Sequence, residues 1–137
     1  MEHDMQMQSR QKLNIERLKA LAEAEPDISV LWLYGSRARG TYLAPSDYDL
    51  AVAFDSFLPD ALETRLRPEL LALEWQEQLG VELSILDINK APLPLAITVV
   101  NDDRLIFGEN SERRFREEQR IMSMWELDYK YSQVEYA

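Results

Sequence analysis

Two aspartates, Asp47 and Asp49, stand one residue apart at the head of the apolar run DYDLAVAF. In a strand, alternate side chains share a face, so both carboxylates point the same way while Tyr48, Leu50 and Val52 point into packing. Two carboxylates on one face repel unless a cation neutralises them, and oxygen ligands select hard cations such as Mg²⁺. Separated from Asp47 by ten residues is the pair Gly35-Ser36, at the end of the apolar run ISVLWLYG. Glycine permits a sharp turn and a close backbone approach. A serine hydroxyl and N–H there suit phosphate oxygens, and Arg37 and Arg39 add positive charge. Downstream, VELSILDI offers Glu82 at its start and Asp87 near its end as a third acid; Glu82 lies at the matching end. Neither a Walker loop nor a dinucleotide fingerprint is present.

These residues need a scaffold. Residues 9–24 carry Leu13, Ile15, Leu18 and Leu21 at helical spacing, and Pro26 stops the run. Strands are expected at 28–35, 47–54, 81–88 and 104–108, and a helix at 58–80 closed by Gly80, with Pro68 forcing a kink or a restart. Strand, helix and strand over 47–88 form a βαβ unit. Its two strands run parallel and adjacent, which brings residue 82 beside residue 47. Residues 92–102 are ambiguous: β-branched residues favour strand, while Pro94 can open a helix. A long helix is expected over 111–136, with Phe115, Met122, Trp125 and Tyr129 as its aromatic and apolar stripe. Phe115 and Met122 are assigned to covering the sheet, and the tyrosine-rich end beyond Trp125 either continues that cover or meets a partner.

The 137 residues suit a single domain, with a core over about 9–108 and the C-terminal helix over about 111–134. There is no cysteine and one histidine, His3, in what is expected to be a frayed end, which excludes disulfides, thiolate metal sites and histidine-based catalysis. The net charge of −10 disfavours direct binding to nucleic acid and suits a basic protein partner. No apolar run reaches membrane-spanning length, and the polar first residues lack the apolar core of a secretory leader, so a cytoplasmic location is expected.

Gly35-Ser36, ten residues, Asp47-Tyr48-Asp49, then an acid on the following strand: together these resemble the active-site motif of the DNA polymerase β-like nucleotidyltransferase superfamily. The short form GSRARG…SDYDLAV is similar to its minimal nucleotidyltransferases, the MNT group, and within that group to MntA-type antitoxins paired with a HEPN-domain toxin. The resemblance implies an α/β fold with a small mixed sheet of about four strands and helices packed on it. It implies that Asp47, Asp49 and Glu82 bind two Mg²⁺ ions, with glutamate where relatives usually carry aspartate. Gly35 and Ser36 would hold the triphosphate of ATP, assisted by Arg37 or Arg39. The implied reaction is transfer of AMP to a tyrosine hydroxyl of the HEPN toxin, an RNase, which makes the chain a protein adenylyltransferase. Two other outcomes stand beside it: a small-molecule, aminoglycoside-like nucleotidyltransferase, and an antitoxin that acts by binding alone.

Overall fold

The computed structural model describes residues 2–136, and the side chains of residues 2–131. Helix α1 spans Glu2–Ala24, starting well before residue 9 and taking in His3. Leu18 and Ala22 are buried, with Ile15 and Leu21 packed beside them, whereas Leu13 is exposed. The chain then enters β1 (Ile28–Tyr34), a single turn α2 (Ser36–Arg39) and β2 (Tyr48–Phe54). Helix α3 (Ala61–Leu79) begins later than residue 58 because Asp60 caps it, its carboxylate accepting from the N–H groups of Leu62 and Glu63 at 2.7 and 3.1 Å. Gly80 closes the helix in the left-handed conformation, its N–H reaching the Gln76 carbonyl at 2.8 Å. The helix runs through Pro68 without restarting. Pro68 is itself buried on the face formed with Leu71, Ala72, Trp75 and Leu79, and that packing offsets the one ladder bond proline cannot make.

Strand β3 (Leu83–Asp87) pairs parallel with β2, as the βαβ reading requires. Residues 92–102 resolve as helix: α4 (Leu93–Asp102) has a proline in its first turn and buries Ala96, Ile97 and Val99 at helical spacing. Strand β4 (Arg104–Phe107) pairs antiparallel with β1, and β1 pairs antiparallel with β2. The sheet order is therefore β3-β2-β1-β4.

Both faces are covered. Leu31, Leu33, Tyr48, Leu50, Val52 and Ile85 meet α1 and α3 on one face. Val30, Trp32, Tyr34, Ala51 and Ala53 meet α4 and the long helix α5 (Glu112–Tyr136) on the other. The face α5 turns to the sheet differs from expectation. Phe115 is 57% exposed and Met122 37%, while Glu117 and Ile121 are buried. Glu117 can be buried because Asn89, Arg113 and Arg120 all donate to its carboxylate, at 2.9–3.1 Å. A stripe traced through apolar residues alone passes this charged seam by. From residue 122 to residue 131 every α5 side chain is exposed. Tyr136 is the last described residue, and its side chain lies outside the described set.

Candidate active site

The site forms where the two inner strands meet the Gly-Ser turn. Tyr34, the last residue of β1, pairs with Asp49 on β2. Gly35 then turns with φ 77° and ψ −157°, a conformation open to glycine. A Cβ on Gly35 would lie 2.5 Å from Asp49 Oδ2, so the absent side chain is what lets the turn lie against the carboxylate. The Gly35 carbonyl accepts from the N–H groups of Ala38 and Arg39, both at 3.0 Å, closing the turn on itself. Ser36 is partly exposed at its start.

Asp47 lies one residue before β2 and is exposed; Asp49 is half-buried on the same side. The parallel register sets Ser84 opposite Asp49, and the Ser84 hydroxyl donates to Asp49 Oδ1 at 3.0 Å. One step back along that register, Glu82 falls level with Asp47, and its carbonyl accepts from the Tyr48 N–H at 3.1 Å. Asp87 pairs with Val52 at the other end of the strands, remote from Asp47. Among the described residues no three acidic, histidine or cysteine side chains converge as a ready cage. The donors at hand are two hard carboxylates with Glu82 at their flank. That set suits Mg²⁺, which typically keeps water and shares one or two carboxylates with substrate phosphates.

The electrostatics agree with a site short of positive charge. The Asp49 carboxyl is raised above the usual carboxylate range, chiefly by burial; the Ser84 hydrogen bond and Arg39 oppose this, and the charge of Asp47 adds to it. Tyr34, on the same face, is pushed up to about 12 by burial and by Asp49.

The two arginines part company. Arg37 is buried, its guanidinium stacked 4.3 Å from the ring centres of both Tyr42 and Tyr48. It donates to the carbonyls of Ser46 and Ala44 and to the Gln11 side chain, at 2.8–3.1 Å. Arg37 thus fixes the loop between Gly40 and Asp47, on the α1 face of the sheet, and its guanidinium is engaged there. Arg39 is half exposed and bonds Asp102 at 3.1 Å. Asp102 also accepts from the Gly35 N–H at 2.8 Å. Sequence reading missed Ser84, Asp102 and Gln11. Ser84 was within reach, being two residues after Glu82 and so on the same face. Asp102 was not, because its segment had no assigned structure. A cavity of about 870 Å³ between α1 and the α2 turn touches Arg39 but neither carboxylate, so volume alone would not find this site.

The sequence profile of the family described as Polymerase beta, Nucleotidyltransferase matches residues 16–112. The chain belongs to that family. The match takes in the Gly-Ser turn, both aspartates and Asp102. No curated protein matches the sequence. Among solved structures, this nucleotidyltransferase is similar to a chain of a toxin-antitoxin crystallised with AMP-PNP: 22% identity, TM-score 0.69, covering 88% of this chain and 93% of the other. A second is the tri-AMPylated Shewanella oneidensis HEPN toxin in complex with MNT antitoxin, at 21% identity and TM-score 0.67, covering 90% and 93%. A third is the toxin-antitoxin MntA-HepT, at 21% and TM-score 0.65, covering 90% and 93%. At such identities the likeness establishes the polymerase β-like fold. Among the described residues no helix of the nucleotidyltransferase is long and apolar enough to cross a membrane.

Proposed function

We propose that this nucleotidyltransferase is an antitoxin that transfers AMP from ATP to a tyrosine hydroxyl of a cognate HEPN toxin. The observation that carries the reading is the contact between the Gly35 turn and Asp49. It supports the reading because nucleotidyl transfer needs a backbone turn open to phosphate beside a carboxylate that can hold a cation. Asp47 and Asp49, with Glu82 at their flank, would hold Mg²⁺; Gly35, Ser36 and Arg39 would receive the triphosphate. Bound divalent ions supply neutralisation of the triphosphate and a lower pKa for the acceptor hydroxyl. The acceptor oxygen bonds to the α-phosphorus as that phosphorus parts from the bridging oxygen of pyrophosphate. Glu82, or Asp49 through the ion it would hold, would favour loss of the phenolic proton.

Two features support a basic protein as acceptor. The chain carries a net charge of −10, and the outer part of α5 exposes Trp125, Leu127, Tyr129 and Tyr131 between acidic residues. The likeness to toxin-antitoxin complexes, one with an AMPylated toxin, supports the same assignment.

The test incubates the protein with α-labelled ATP, Mg²⁺ and the product of its neighbouring gene, against the Asp47→Asn variant. Label on the partner, absent with the variant, is the expected result. Unlabelled partner that the variant still silences would replace this reading with an antitoxin that works by binding alone. Label on a small molecule in place of protein would replace it with a small-molecule transferase.

A further inference from the structure

Asp102 is the last residue of α4, and Asp103 follows it in the left-handed conformation. Carboxylates at a helix C-terminus oppose the helix dipole and cost stability there. Yet the Asp102 side chain is only 9% exposed and is aimed away from its own helix. One of its oxygens, Oδ2, accepts from the Gly35 N–H at 2.8 Å and from Arg39 Nη1 at 3.1 Å. Those two donors bracket the α2 turn, one before Ser36 and the other at the turn's end. The same turn lies against Asp49, and Arg39 is near enough to that carboxylate to pull its pKa down.

We infer that Asp102 is a positioning residue for the nucleotide: its carboxylate clamps both ends of the Gly35–Arg39 turn and holds the Arg39 guanidinium over the place where the triphosphate arrives. The inference rests on the transfer reading above and adds a residue to it. A long arginine tied at one nitrogen keeps its remaining donors for the ligand and loses less freedom when the ligand binds. Asp102 therefore acts on nucleotide affinity through the Gly35 turn and Arg39, and touches neither the acceptor nor the reacting phosphorus.

The test measures binding of a fluorescent ATP analogue with Mg²⁺ to the full chain, so no acceptor is needed. Wild type, Asp102→Asn, Asp102→Ala, Arg39→Ala and the double variant Asp102→Ala/Arg39→Ala are compared, each with its melting temperature. Loss of one charge-assisted clamp should weaken binding about tenfold in both Asp102 variants. The double variant should lose less than the sum of the two single losses, because one of the two contacts of Asp102 runs through Arg39, a coupling that general loss of stability would not produce. In the transfer assay the KM for ATP should rise while kcat holds. Additive losses, or unchanged binding in Asp102→Asn, would overturn the inference and leave the transfer reading intact. Tighter binding in Asp102→Asn would also overturn it, because the carboxylate would then be competing with phosphate. A wild type that binds no nucleotide would overturn the inference and the transfer reading together.

Discussion

Asp49, proposed above as a metal ligand, is held at the expense of the fold. Its carboxyl is raised by burial and by Asp47, so the ionised form is disfavoured in the folded chain. The sign follows from linkage: a carboxyl raised on folding costs nothing below its unfolded pKa and destabilises once pH passes its folded value. Asp49→Asn should therefore melt at a higher temperature than wild type at pH 7 in metal-free buffer. The gap should close in acid, and transfer should be lost at every pH. A variant melting lower at pH 7 would contradict the assignment. Gly35→Ala meets Asp49 Oδ2 and must also adopt φ 77°, so it should lose about 2 kcal/mol in urea denaturation along with nucleotide binding. The parity of Asp47 and Asp49, and the need for glycine at 35, were legible in the sequence because each depends on local geometry alone. The buried setting of Arg37 was not legible, for the opposite reason. Whether an arginine faces phosphate or a tyrosine pair depends on Gln11, Tyr42 and Tyr48, residues that only the tertiary fold brings together.

At the scale of elements, the parallel β2–α3–β3 unit could be read from alternating patterns and Gly80, and its register carried residue 82 to residue 47. Its ends could not be read as well. Asp60 moved the start of α3, and Glu82 fell just outside β3 because the residue pairing with β2 begins at Leu83. The 92–102 segment stayed undecided, since a short apolar run with β-branched residues has no strong period of its own; tertiary packing of Ala96, Ile97 and Val99 decided it. The α5 seam was missed because Glu117 is not apolar. Its carboxyl would be raised by burial, but hydrogen bonds from Asn89, Arg113 and Arg120 prevail and hold it below the usual range. Stability from such a group is present above its unfolded pKa and fades as pH falls through its folded pKa. Glu117→Gln strips the charge from two arginines' partner and should cost about 3 kcal/mol at pH 7 by urea denaturation, with a smaller penalty in acid.

For the whole molecule, charge and shape bear on association. The exposed length of α5 adds little to the core, so Trp125→Ala/Tyr129→Ala should leave the melting temperature within a degree or two of wild type. Under the proposed function the same variant should weaken capture of the HEPN partner about tenfold or more by calorimetry, as removal of aromatic anchors does. The association rate should fall steeply with added salt, because the acidic chain steers toward a basic partner. The sheet order has a separate consequence. Strands β1 and β2 are the inner pair, bonded on both edges and covered on both faces. Gly35 follows the first and Asp49 belongs to the second. Amide protons on such strands exchange with solvent only when the whole domain opens. The proposed site is thus rooted in the slowest-exchanging part of the chain, and the urea concentration that abolishes nucleotide binding should coincide with the global unfolding midpoint.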